Sequence, residues 1–149
     1  MADEALLLSW RSDTETQYAS RASTPISAAQ HHEWLSDSLK NSDRLLLVCE
    51  DRNETPLATV RFDLNQMHGE RVVYEVSISV APNARRRGVG MKALIVGENF
   101  LVNSISNDQQ IRLVAFVRAS NARSGKLFEE CGYRSFMTTN EGSWFSKDL

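Results

Sequence analysis

The chain has 149 residues, 42% hydrophobic and 24% charged, which suits one soluble globular domain able to bury roughly 70% of its unfolded surface. Lys plus Arg is 17 against 19 for Asp plus Glu, a net charge of −2, so the basic excess of a protein that binds nucleic acid by neutralising phosphates is missing. Cys49, Cys131, His31, His32 and His68 fall in no metal-ligand spacing, no apolar run approaches the roughly 20 residues of a membrane span, and the segment after Met1 lacks the apolar stretch of a leader. A single cytoplasmic domain over residues 1–149, with reduced thiols and no nucleic-acid, membrane or metal partner, is therefore expected.

In chain order, Leu6, Leu8 and Trp10 alternate with Leu7 and Ser9 and predict a first strand. Residues 13–22 are polar, a short helix or a loop. Ser27 to Gln30 reads as a capping box opening a helix to about Lys40, with Thr24-Pro25 as a competing start. His31, Trp34, Leu35 and Leu39 then share one helical face. Arg44 to Glu50 reads as a buried strand, residues 51–56 as a turn and Leu57 to Leu64 as the next strand, followed by a turn at His68-Gly69. Val72, Tyr74, Val76, Ile78 and Val80 alternate with Val73, Glu75, Ser77 and Ser79, the clearest strand in the chain. These strands form an antiparallel meander.

Pro82 ends the meander. Arg85-Arg86-Arg87-Gly88-Val89-Gly90 leads into a helix carrying Met91, Leu94, Ile95, Leu101 and Val102. Ile111 to Val117 is a strand, and Asn121 to Cys131 a helix stopped by Gly132. Tyr133 to Thr139 and Ser143 to Phe145 are late strands around Asn140-Glu141-Gly142. The expected order is β-α-α-β-β-β-α-β-α-β-β, an α/β (α+β) domain with a mixed, mostly antiparallel sheet covered by helices.

The loop from Arg85 to Gly90 carries the chemical signal. A glycine-containing turn entering a helix presents free backbone N–H groups at the positive end of the helix dipole, a setting that suits a pyrophosphate. Gly88 and Gly90 would let the backbone approach it without a Cβ in the way, and Arg85, Arg86 and Arg87 add forked donors. On spacing alone, an arginine-rich surface loop with two structural glycines is the competing reading.

This loop resembles the acetyl-CoA-binding signature of the GNAT acetyltransferase superfamily, Q/R-x-x-G-x-G/A, at Arg85, Gly88 and Gly90. Val76 to Pro82 is similar to the central strand that runs into that loop. Asn121 with Leu127 to Tyr133 is similar to the family's later N-x6-Y-x3-G-F block. The resemblance implies acetyl-CoA as the acetyl donor. It places the pantetheine arm along the backbone of Ile78, Ser79 and Val80, and the pyrophosphate on Arg85 to Met91, Val89 included. Asn121 would contact the pantetheine or a structural water, with Ser124, one turn on, on a similar face. A helix N-cap role for Asn121 is compatible with that.

Acetyl transfer needs a neutral amine, and an alkyl ammonium has a pKa near roughly 10.4. Glu75, on the polar face of the central strand where the family often has a glutamate, is the candidate base. A sheet-face glutamate paired with Arg71 or Arg61 is the alternative. Counting seven residues from Asn121 reaches Phe128, so the family's general-acid tyrosine is missing. Tyr133 and Tyr74 read as core residues.

Trp10-Arg11-Ser12-Asp13 and His31-His32-Glu33-Trp34 resemble W-R-N-D and H-x-x-W patterns of a GNAT subgroup. That subgroup includes nucleotide-linked amino-sugar acetyltransferases and shades into ribosomal-protein N-terminal acetyltransferases. The resemblance implies an amine acceptor, a small molecule such as a nucleotide-linked amino sugar, walled by Arg11, His31 and Trp34. Core packing of His31 and Trp34 and a surface charge at Arg11 stand beside it. Subunits are expected to be monomeric or homodimeric. Three other readings remain. Gly88 to Ala93 also reads as the G-x-G-x-x-A of a dinucleotide-binding oxidoreductase, but no acidic residue ends the next strand at Val117-Arg118. Phe128 would suit a non-catalytic acyl-CoA-binding domain, and a protein N-terminus is the alternative acceptor.

Overall fold

The computed structural model describes residues 3–21, 24–68, 71–105 and 109–149. Three helices come first: α1 (Glu4–Ser12), α2 (Thr14–Ala19) and α3 (Ala28–Lys40). Strands β1 (Arg44–Glu50), β2 (Pro56–His68) and β3 (Arg71–Val80) follow, then a 3-10 turn (Pro82–Ala84) and α4 (Val89–Ser104). The chain closes with β4 (Gln110–Arg118), α5 (Ala122–Glu130), β5 (Arg134–Thr138) and β6 (Gly142–Asp148). The sheet has six strands in the order β1-β2-β3-β4-β6-β5, all antiparallel except β3 with β4.

The expected first strand is a helix. Leu6, Leu8 and Trp10 fit alternation, but Leu7 and Trp10, three apart, are the pair that buries. Ala5 and the three leucines that follow it are good helix formers, and a short apolar run cannot separate the two periods. The element order therefore begins α-α-α rather than β-α-α. The capping box of α3 is present in both directions: Ser27 Oγ accepts from the Gln30 N–H, and Gln30 Oε1 accepts from the Ser27 N–H. Its buried face is His31, Leu35 and Ser38, whereas Leu39 is exposed. Of the turn expected at His68-Gly69, His68 is the last residue of β2 and Gly69 lies outside the described residues.

The main core fills the space between the sheet and α4 with α5. Ala58, Val60 and Phe62 from β2, Val72 and Val76 from β3, and Leu113 and Ala115 from β4 meet Leu94 and Leu101 of α4 and Phe128 of α5. Gly97 brings α4 close to β2: a Cβ there would stand 3.1 Å from Val60 Cγ1. A smaller core of Leu7, Trp10, Leu35, Ala81 and Ala84 seats α1 and α3 on the other face of the sheet. Gly132 (φ +89°) ends α5. The Tyr133 N–H reaches Phe128 O and the Gly132 N–H reaches Glu129 O, each at 3.0 Å, the two bonds of a Schellman stop.

Candidate active site

The site begins where two strands part. β3 and β4 pair in parallel from Arg71–Gln110 to Glu75–Val114 and no further. Beyond that point Val76 to Val80 pair with β2, and Ala115 to Arg118 pair with β6. A wedge opens between the strands, with the β4-side backbone of Ile78, Ser79 and Val80 along one wall. Glu75 sits at its vertex. Even-numbered β3 residues face α4, so Glu75, Ser77 and Ser79 look toward the side of α1 to α3 and are half-buried.

The loop at the mouth of the wedge runs from the end of β3 into α4. Arg86 (φ +62°) and Gly88 (φ +71°) are both left-handed, and α4 starts at Val89 with no side chain capping it. Its first N–H groups and the positive end of its dipole are thus available to an anion. The two glycines are required for different reasons. A Cβ on Gly88 would meet nothing, so conformation selects glycine there. A Cβ on Gly90 would stand 2.6 Å from Leu127 Cδ1 and 3.4 Å from Val80 Cγ2. That space is filled by helix packing, so Gly90 does not clear room for a phosphate as its spacing suggested.

The three arginines also divide. Arg86 and Arg87 are exposed and make no ion pair among the described residues. Arg85 turns back into the protein and is 15% exposed: Nη2 donates to Asp13 Oδ2 at 2.6 Å and Thr16 Oγ1 at 2.7 Å, and Nη1 to Glu15 Oε2 at 3.1 Å. Its guanidinium holds the Asp13 carboxyl below the usual range. Asp13 also caps α2, accepting from the Thr16 N–H. Further along, Glu15 pairs with Arg123 of α5, and Arg118 at the end of β4 donates to Ser20 O at 3.0 Å. α2 is thereby tied to the loop before α4, to α5 and to the end of β4.

Arg21, just after α2, reaches the vertex. Its Nη1 lies 3.3 Å from Glu75 Oε1, and its guanidinium stands 4.7 Å from the Phe116 ring centroid and 5.2 Å from that of Trp144. Glu75 therefore pairs with Arg21, not with Arg71 or Arg61. Arg61 Nε instead lies 2.8 Å from Asp63 Oδ2, close but not aligned as a hydrogen bond. Sequence reasoning missed Arg21, Phe116 and Trp144. They come together only through the register that sets Phe116 opposite Trp144, which no local spacing reveals.

The remaining candidates take structural positions. Asn121 caps α5: Oδ1 accepts from the Ser124 N–H and Nδ2 donates to Ser124 Oγ, so the two residues engage each other. Phe128 is buried edge-on to Tyr133 and stacked on Phe145. The Tyr133 hydroxyl donates to Glu98, and Lys147 Nζ donates to the other oxygen of that carboxylate. Burial and Glu98 push the Tyr133 phenol far above the tyrosine range. On the acceptor side, His31 is 2% exposed and burial lowers its pKa. Its ring lies 5.6 Å from Trp34, which packs on the smaller core, and Arg11 Nη2 donates to Thr24 O. His31 thus takes the buried position that stood as its alternative, while Trp34 is half-buried against the smaller core.

Residues 1–134 match the profile of the acetyltransferase (GNAT) domain. The chain belongs to the GNAT acetyltransferase family. Its fold is shared with a ribosomal-protein-alanine N-acetyltransferase from Brucella melitensis (22% identity, 99% of this chain and 95% of that one, TM-score 0.76). A spermidine N-acetyltransferase from Vibrio cholerae in complex with CoA and spermine is similar at 18% identity, 99% and 89% coverage and TM-score 0.73. A domain from Methanocaldococcus jannaschii is similar at 19% identity, 99% and 93% coverage and TM-score 0.77. No curated protein gives a significant sequence match. As a GNAT enzyme this chain is an N-acetyltransferase that uses acetyl-CoA. The observed wedge and the uncapped start of α4 fit that donor: one offers an unpaired strand edge, the other free N–H groups.

Proposed function

We propose that this enzyme acetylates the primary amine of a small molecule, with Glu75 as the base at the vertex of the wedge. Acetyl-CoA supplies a thioester whose acyl carbon accepts the amine. The chain's residues do the rest. The backbone of Ile78, Ser79 and Val80 pairs with the amides of the pantetheine arm as an added strand would. The N–H groups of Val89, Gly90 and Met91, with the side chains of Arg86 and Arg87, hold the pyrophosphate, while Arg85 fixes the loop from behind. Asn121 and Ser124 shape the neighbouring turn. Glu75 takes one proton from the incoming ammonium, freeing the nitrogen lone pair to form the C–N bond as the C–S bond breaks, and the second proton leaves the acylated nitrogen for water. With Phe128 buried and Tyr133 bound to Glu98, the sulfur leaves as a thiolate without a tyrosine donor.

The observation that carries this reading is the position of Glu75, the last residue on β3 paired to β4, where the wedge begins. A nucleotide-linked amino sugar falls in the same class of acceptors. The wall once expected for it, Arg11, His31 and Trp34, has its histidine buried, which favours an amine reaching Glu75 past Phe116 and Trp144. The test has two stages. Acetyl-CoA at a hundred times its dissociation constant should stabilise the protein by roughly 2.7 kcal/mol, with NAD as the inert control. Turnover is then measured on a panel holding a polyamine, an aminoglycoside, a nucleotide-linked amino sugar and an N-terminal peptide. Stabilisation by NAD alone, or acetylation of the peptide alone, would overturn the proposal.

A further inference from the structure

Arg21, just after α2, and Arg85, in the loop before α4, both reach carboxylates on another segment, but they are held differently. Arg85 is mostly covered and held by three acceptors. Arg21 is 61% exposed and among the described residues has one carboxylate acceptor, Glu75 Oε1. The rest of its contact is aromatic, with Phe116 and Trp144, whose rings stand 5.3 Å apart. A carboxylate beside two ring faces is a recognition site for a cation as such, because ring quadrupoles attract positive charge whatever group carries it. An exposed ion pair and an exposed cation–π contact are each weak, so a solute cation can exchange with this arginine.

The surroundings allow that exchange. A cleft of about 470 Å³ opens beside the aromatic pair, lined by Arg21, Phe116, Arg118, Ser120, Asn140 and Glu141. Arg118 is committed to Ser20 O and Tyr18 O. Phe116, Arg118 and Glu141 line this cleft, and Arg21, which also lines it, is the residue that touches Glu75 and Trp144, so an Arg21 that swings out leaves the Phe116 and Trp144 rings and the Glu75 carboxylate without their cation. Two cations cannot share the place Arg21 fills, since like charges a few ångströms apart repel.

We propose that Phe116, Trp144 and Glu75 form a cation subsite that Arg21 fills at rest, and that the acceptor enters as an ammonium- or guanidinium-bearing cation that displaces Arg21. This rests on the acetyltransferase reading above and narrows its acceptor class. An alkylamine at neutral pH arrives protonated, so the species that displaces Arg21 is also the one whose proton Glu75 must take. Arg21 is a specificity-determining residue here, setting a threshold that neutral and anionic amines do not cross.

The experiment uses the full-length chain and direct binding of agmatine, with glucosamine 6-phosphate as an amine of net negative charge. Affinity is read by calorimetry and location by tryptophan emission. Arg21→Ala should bind agmatine about three- to tenfold more tightly than the parent, with no such gain for glucosamine 6-phosphate. Trp144→Leu in the Arg21→Ala background should remove much of the gain together with the emission change. Arg21→Gln should behave as Arg21→Ala, which separates lost charge from altered packing. Unchanged or weaker agmatine binding in Arg21→Ala, or an equal gain for the anionic amine, would overturn the proposal. Stabilisation by acetyl-CoA is measured on the same variants: if it persists while agmatine is indifferent to Arg21, the cation subsite falls and the enzyme reading stands. If acetyl-CoA fails while Arg21→Ala gains agmatine, the subsite stands and its assignment to an acetyl acceptor falls.

Discussion

Asp13 and Arg85 lie 72 residues apart in sequence, yet Asp13 Oδ2 accepts a hydrogen bond from Arg85 Nη2 at 2.6 Å. This contact joins the first turn of α2 to the loop that feeds α4. Because Arg85 holds the folded-state pKa of Asp13 below its unfolded value, the contribution is fully present above pH about 4 and is lost as pH falls through the lowered value. Asp13→Asn keeps an N-cap acceptor for the Thr16 N–H and removes only the charge. In urea melts between pH 3 and 7, the variant should lose less stability on acidification than the parent. Asp13→Ala should cost about 1 kcal/mol more than Asp13→Asn because the cap goes too.

Glu75→Gln tests the base. The amide keeps the shape of the side chain and cannot take a proton. The rate should fall by roughly a hundredfold or more, most at low pH where more of the amine is protonated, with acetyl-CoA affinity unchanged. A pH–rate profile parallel to the parent's would remove Glu75 from the mechanism.

Three glycines should fail in three ways. Gly88→Ala puts a side chain at φ +71° and should cost about 1 kcal/mol, with Gly88→Asn milder because asparagine visits that region. Gly90→Ala meets the end of a flexible leucine, and overpacking of that kind costs about 1–3 kcal/mol. Gly142→Ala would place its Cβ 2.1 Å from Val117 O and 2.9 Å from Arg118 Cα, both backbone atoms of the adjoining strand. It should be the worst of the three by thermal unfolding.

Glu98 is a buried carboxylate held by Tyr133 and Lys147, far from the wedge. Tyr133→Phe removes one hydrogen bond and should cost about 1–2 kcal/mol. Lys147→Met strands the carboxylate without its counter-charge and should cost about 3–5 kcal/mol. Denaturant melts that ranked the two the other way would show that the hydroxyl, not the ammonium, keeps this charge in the core.

The strands and the later helices were legible because their signals are local. Alternation from Val72 to Val80 set the β3 faces, Ser27 and Gln30 set the start of α3, and Gly132 set the end of α5. The first helix was not, because four or five apolar residues satisfy two periods at once and only burial of Leu7 with Trp10 decides between them. The donor loop was legible as a motif, but not how its parts are engaged: the Arg85 side chain is held by Asp13, Glu15 and Thr16 and the Cβ side of Gly90 faces Leu127, contacts that spacing does not reveal. The cluster around Arg21 depends on strand register and on a contact 54 residues long, and nothing in the local sequence foretells it.

The parting of β3 from β4 also divides the molecule mechanically. Three strands lie on each side, and among the described residues the ladder across the divide is the five paired positions from Arg71 to Glu75. A sheet stitched along part of its length bends most easily at the last stitch. Glu75 is that stitch, so flexing of the two halves would widen or narrow the gap beside Ile78 and Val80 while leaving the carboxylate almost where it was. The groove can then breathe around a long, supple donor without disturbing the one group whose distance to the acceptor matters most.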